Sequence, residues 1–138
     1  DYSYDTDGNL SERTVAGNSM TTTYAYDYQN RLTSLKNQTG SAGVISEYDS
    51  EYLVNGQKTK ETATVQDKDG KKTTKTSAYT YDLLGRLTKE KKTGSEDISY
   101  TYDSNNNRKE MTVGNKVTAY KYNKNDELLR TDTLNTDT

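Results

Sequence analysis

The sequence predicts an all-β fold, a continuous meander of antiparallel hairpins, and three observations carry that prediction. A pattern of Tyr-x-Tyr-Asp, then a turn residue and a Leu or Arg, returns along the chain at intervals of roughly twenty to thirty residues. Every aromatic residue is one of 13 Tyr, Thr is abundant, and hydrophobic residues make up only 28% of the chain; Tyr and Thr are both enriched in strands. Apolar residues never hold a helical period over more than a few positions. A recurrence of this size describes a repeat array, in which no unit buries its own apolar face and stability comes from stacked neighbours.

The units follow in order. Tyr2 and Tyr4 open the first on one strand face, since residues two apart project to the same side. Asp5 then starts a turn, where its carboxylate accepts backbone N–H groups two residues on, and Gly8 completes it before Asn9 and Leu10. The second unit repeats this with Tyr24, Tyr26, Asp27, Asn30, Arg31 and Leu32. The third is degenerate: Ser50 and Leu53 replace the first Tyr and the Asp around Tyr52, and Gly56 remains. The fourth is the fullest, with Tyr79, Tyr81, Asp82, Gly85, Arg86 and Leu87. Tyr100, Tyr102, Asp103, Asn106 and Arg108 form the fifth, and Tyr120, Tyr122, Asn123, Asp126 and Leu128 the sixth.

Second turn signals fall midway, at Ala16-Gly17-Asn18, Gly40-Ser41-Ala42-Gly43, Asp67-Lys68-Asp69-Gly70, Gly94-Ser95 and Gly114-Asn115. Each unit therefore becomes two strands of about six to ten residues. Residues 1–138 read as one array of about six units beginning near 2, 24, 50, 79, 100 and 120, with roughly a dozen strands in all. Between Gly43 and Thr76 the interval is longest, and the Lys- and Thr-rich segments around Asp67 to Gly70 read as a long hairpin. There is no Pro to interrupt a ladder or blunt an edge, which leaves that protection to Lys and Glu.

The rings are expected on the buried face, joined by Leu10, Val15, Leu32, Leu35, Val54, Val65, Leu87, Ile98, Val113, Val117 and Leu128. So little apolar material implies support from flanking repeats, and the chain is expected to be a fragment of a much larger protein. If equivalent strands align, the rings form ladders. Tyr28 and Tyr48 fall outside the signature and are the aromatics expected to be exposed, which makes them the candidate glycan contacts.

Chemistry-bearing residues are sparse. The absence of Cys and His removes the thiolate metal site, the commonest general base and the commonest metal ligand, so no catalytic residue, metal or cofactor is expected. Asp5-Thr6-Asp7-Gly8-Asn9 and Asp67-Lys68-Asp69-Gly70 imitate the start of a calcium loop, but further ligands are missing and plain Asp-Gly turns are the better reading. Glu47, Asp49 and Glu51 share a strand face and read as solvated charges. Lys71, Lys72, Lys89, Lys91 and Lys92 are interleaved with Glu90, Glu96 and Asp97 in a chain of net charge -2, which argues against nucleic acid. Asn9-Leu10-Ser11 and Asn37-Gln38-Thr39 are glycosylation triplets of the kind expected by chance in so polar a chain. No apolar run is long enough to span a bilayer.

The form Tyr-x-Tyr-Asp-x-x-Gly-Arg-Leu from Tyr79 to Leu87, with its weaker copies in register, resembles the YD-repeat, or RHS (rearrangement hotspot) repeat, family over nearly the whole chain. That resemblance implies a β-ribbon wound as a spiral into a hollow shell. It also implies a secreted or cell-surface setting, as in bacterial polymorphic toxins, wall-associated proteins, insecticidal toxin complexes and teneurins. The implied partners are neighbouring repeats of the same chain and an enclosed toxin domain. The family's Pro-containing terminal boundary has no counterpart here. The expected function is a non-catalytic structural stretch of such a shell in a large bacterial protein, and high Lys, Asn and Thr without His, Pro or Cys suits that source. The alternative is a carbohydrate or cell-surface binding module using exposed tyrosine faces.

Overall fold

The computed structural model describes residues 1–17, 19–40 and 43–136, which form strands and turns without a helix. The strands are β1 (Tyr2–Tyr4), β2 (Leu10–Val15), β3 (Met20–Tyr26), β4 (Leu32–Thr39), β5 (Gly43–Tyr52) and β6 (Lys58–Gln66). They continue as β7 (Lys72–Tyr81), β8 (Leu87–Lys92), β9 (Ile98–Tyr102), β10 (Arg108–Val113), β11 (Lys116–Tyr122) and β12 (Leu128–Asn135). Their order in the 12-stranded antiparallel sheet is their order in the chain. Each connection is a short turn, and the predicted meander is the fold. Of the midway turn signals, Asn18, Ser41 and Ala42 lie outside the described residues, while Gly17 and Gly43 beside them have φ of 110° and 67°.

Two compact units divide the chain, residues 1–76 and 77–138, with the boundary inside β7. In the first, Tyr24 on β3 faces Leu35 on β4, Leu35 faces Tyr48 on β5, and Tyr48 faces Ala63 on β6. Rings of successive hairpins are two strands apart, about 9–10 Å, too far for direct stacking. The expected ring ladders are therefore interleaved with other side chains. In the second unit Tyr100 faces Met111, and the Tyr120 hydroxyl lies 3.8 Å from the Met111 sulfur. The Arg108 guanidinium lies 4.8 Å and 5.6 Å from the ring centroids of Tyr100 and Tyr120.

Among the described residues no apolar side chain is buried, and Thr22 is the sole buried residue. Its hydroxyl donates to Asn37 Oδ1 at 2.8 Å, and Asn37 Nδ2 donates to Ser46 Oγ at 2.9 Å, so the best-shielded row is polar and hydrogen-bonded. Most of the expected core residues, Leu10, Leu32, Leu35, Leu87, Ile98, Val113 and Val117, are half-buried. Val15, Val54, Val65 and Leu128 are exposed instead. Val54 stands at a turn, Leu128 on the last strand of the sheet order, and Val65 opposite the small Ser46. Tyr2 and Tyr4 are also exposed, being on the strand at the other end of that order. Tyr24, Tyr26, Tyr52, Tyr79, Tyr81, Tyr100, Tyr102, Tyr120 and Tyr122 are half-buried, as a single layer allows.

Candidate functional site

The chemistry of this chain is concentrated at its recurring turns. Asp5, Asp27, Leu53, Asp82, Asp103 and Asn123 each start one. The carbonyl of each accepts from the N–H three residues on, and its own N–H donates to the carbonyl four residues on, at 2.8–3.2 Å. This is a type I turn closed by a left-handed residue. Gly56 and Gly85 hold that residue's place at φ 90° and 78°, and Asn30, Asn106 and Asp126 hold it at 58°, 70° and 61°. Asn and Asp are the non-glycine residues that tolerate such backbone best.

One oxygen of the starting side chain caps the turn twice. Asp82 Oδ1 accepts the N–H of Leu84 at 3.0 Å and of Arg86 at 2.9 Å. Asp5, Asp27 and Asp103 do the same, and the Asn123 amide oxygen replaces a carboxylate oxygen without change of geometry. The second oxygen of Asp27 and of Asp82 takes the Nε of Arg31 and of Arg86, both at 2.7 Å. The Arg31 side-chain hydrogen bond, with backbone N–H groups behind it, holds the Asp27 carboxyl below its ordinary value. At Asp82 the Arg86 N–H does so first, helped by the Arg86 guanidinium. Partial desolvation pushes Asp5 up, and the hydrogen bonds from Asn9 and Asp7 together outweigh it.

The residue that closes each turn also reaches forward to the next one. Asn9 Nδ2 donates to Asn30 Oδ1 at 2.9 Å, Arg31 donates to the Leu53 carbonyl, Arg86 to Asn106 Oδ1 at 2.8 Å, and Asn107 to Asp126 Oδ1 at 2.7 Å. Arg31 and Arg86 lie 4.9 Å and 4.6 Å from the centroids of the Tyr52 and Tyr102 rings, within cation–π reach. Each such Arg thus serves its own Asp and the following repeat.

The second Tyr of each unit makes the other link between repeats. Past the turn, the returning strand carries a β-bulge, so that Tyr4 faces Leu10 while Ser3 faces Glu12, leaving Ser11 as the extra residue. The same irregularity recurs after Tyr26, Tyr52, Tyr81, Tyr102 and Tyr122. Next to it, the carbonyl of Leu10 accepts the hydroxyl of Tyr26 at 3.0 Å. Leu32 accepts from Tyr52 at 2.9 Å, Leu87 from Tyr102 at 2.7 Å, and Arg108 from Tyr122 at 3.0 Å. Two of the extra residues, Thr33 and Thr88, return their hydroxyls to Ala25 and Thr80 across the bulge. Sequence reasoning missed these Thr residues; the recurring Leu-Ser or Leu-Thr at Leu10, Leu32 and Leu87 was the available signal.

The remaining candidates have plain surroundings. Glu47 pairs with Lys36 at 2.8 Å and Glu51 with Lys60 at 2.9 Å, so that row is engaged with neighbouring strands. Lys89 and Lys91 both approach Asp97, and Lys92 pairs with Glu90 at 2.7 Å. Asp67 caps Asp69 and Lys71 as its counterparts cap their turns, although its hairpin has Thr64 and Gln66 where the others have tyrosines. Among the described residues no acidic, His or Cys group is arranged to hold a metal, and no helix is long and apolar enough to cross a membrane. Tyr28 is 80% exposed and Tyr48 40%.

No curated protein matches the chain. Crystal structures of TcdB2-TccC3, with and without Cdc42, align with 96% of this chain and 10% of theirs, at 14% identity and a TM-score of 0.33. The chain therefore spans about a tenth of the length of those proteins. The family described as Teneurin YD-shell matches residues 1–104. That match covers the first four repeating turns and the start of the fifth, and it makes this chain a member of the teneurin YD-shell family, a structural segment of a β-shell.

Proposed function

We propose that residues 1–138 form one array of about six units, a non-catalytic stretch of shell wall in a large secreted or cell-surface bacterial protein that encapsulates or delivers a toxin domain. The observation that supports this reading most is the hydroxyl-to-carbonyl link between successive repeats. Phenol groups that a ligand site would present are spent on joining one hairpin to the next. The neighbours of this segment are then further repeats, and its cargo is the enclosed domain. An antibody against this segment, applied to fractionated cells and medium of the source organism, should find it outside the cytosol or on the surface. Detection in the cytosol alone would contradict the proposal.

A second reading, a carbohydrate or cell-surface binding module, is favoured by the exposure of Tyr28 and Tyr48. It predicts that surface glycans bind the chain and that Tyr28→Ala and Tyr48→Ala weaken the binding. A glycan screen without a single binder would remove it.

A further inference from the structure

We propose that the open face of the β6–β7 hairpin, flanked by Tyr48, is a binding site for an acidic saccharide held by Lys75 and Gln66. The inference rests on the second reading above only through Tyr48. Ala63, Val65, Gln66, Asp67, Thr73 and Lys75 line a concavity of about 340 Å³, within the size range of small-ligand sites. Thr64 and Thr74 occupy the reverse face, their hydroxyl oxygens 2.9 Å apart, which leaves Ala63, Val65, Thr73 and Lys75 together on the open one. Tyr48 faces Ala63 and Ser46 faces Val65. Small residues beside the Tyr48 ring keep its flank accessible, and the ring with Val65 offers an apolar surface to a sugar ring.

Two polar features choose the ligand. Gln66 Oε1 is shielded from solvent and accepts no hydrogen bond, an exception to the rule that buried polar atoms find partners. A ligand hydroxyl that draws the amide round about its terminal torsion supplies the missing donor. Lys75 makes no ion pair among the described residues, unlike Lys36, Lys60, Lys89 and Lys92. It stands with Lys68, Lys71 and Lys72 against Asp67 and Asp69, a locally positive segment in a chain of net charge -2. A carboxylate is the complementary anion. The turn N–H groups of Asp69 and Lys71 are already given to Asp67 Oδ1, so no backbone cradle remains for a phosphate.

The test is calorimetric titration of the full chain with tetragalacturonate, with the neutral galactose tetramer, and with inorganic phosphate. Tetragalacturonate should bind, the neutral tetramer should bind about tenfold or more weakly, and added salt should weaken the acidic ligand. Ala63→Leu, which fills the concavity, and Lys75→Gln, which removes the cation without touching the backbone, should each abolish or strongly reduce binding while circular dichroism stays unchanged. The proposal is overturned by no binding of tetragalacturonate, by equal binding of the neutral tetramer, by phosphate competing equally, or by wild-type affinity in both variants. Binding lost in Tyr28→Ala but kept in Ala63→Leu would place the glycan at the turn tip and also overturn this site.

Discussion

The Asp82–Arg86 and Leu53–Gln57 turns have the same backbone and different side chains. Both close with a hydrogen-bond pair, at 2.9 and 3.0 Å in the first and 2.8 and 2.9 Å in the second. At the first, a carboxylate gathers two N–H groups and an arginine. At the second, Leu53 has no such capacity, and Asn55 Oδ1 instead accepts the Gln57 N–H at 3.2 Å. The left-handed residue and the bulge therefore define the turn, and the Asp–Arg pair reinforces it. Even the degenerate copy keeps its inter-repeat contacts, since Tyr52 reaches Leu32 and Arg31 reaches Leu53.

The comparison is broken most severely at the shared feature. A Cβ at Gly56 would meet no atom within 4 Å, so the cost of Gly56→Val is one of backbone alone at φ 90°, about 1–3 kcal/mol in urea unfolding. Gly56→Asn should cost much less, because Asn30 and Asn106 hold the same place. Equal losses for Val and Asn would show that the left-handed residue is not what defines the turn.

The reinforcing pair comes next. Asp82→Ala strips an acceptor from two N–H groups and frees Arg86, so it should lower the urea midpoint clearly. Asp82→Asn should lower it less, as the Asn123 turn indicates. The converse, Leu53→Asp, should stabilise the chain by about 1 kcal/mol, the net worth of one or two added hydrogen bonds. A loss of stability in Leu53→Asp would mean that the third turn excludes a carboxylate.

Removal of one phenol is a smaller perturbation. Tyr102→Phe should cost about 0.5–1.5 kcal/mol by leaving the Leu87 carbonyl without its donor. Tyr28→Phe should cost nothing measurable, because that ring is 80% exposed. Smallest is the response to pH. The Asp27 and Asp82 carboxyls lie below the ordinary 3.8 in the folded chain, so their stabilisation is present above that value and lost as pH falls through the lowered ones. The urea midpoint should drop on acidification below about pH 4, and less steeply in Asp82→Asn.

The strand pattern, the turns and the sheet class were legible in the sequence because each rests on local chemistry. Paired tyrosines two apart, an Asp, and a Gly or Asn three residues later specify a hairpin without knowledge of the rest of the chain. Exposure at Tyr28 and Tyr48 was legible too, since both fall outside the period. What could not be read was the destination of each hydroxyl. Pairing Tyr26 with Leu10, 16 residues earlier, depends on the register between hairpins and on a bulge that no single residue announces. The expected apolar core misled for a related reason. In a sheet whose sole buried residue is Thr22, periodicity marks a face, not a depth.

The central claim is that hydroxyl-to-carbonyl links between repeats hold a sheet that lacks a buried apolar core, and one variant tests it directly. Tyr26, Tyr52, Tyr102 and Tyr122 are changed together to Phe, which retains every ring and removes only the four hydroxyl donors. Urea unfolding of this variant should show a loss of about 2–6 kcal/mol, or an unfolded chain, and an unchanged midpoint would contradict the account.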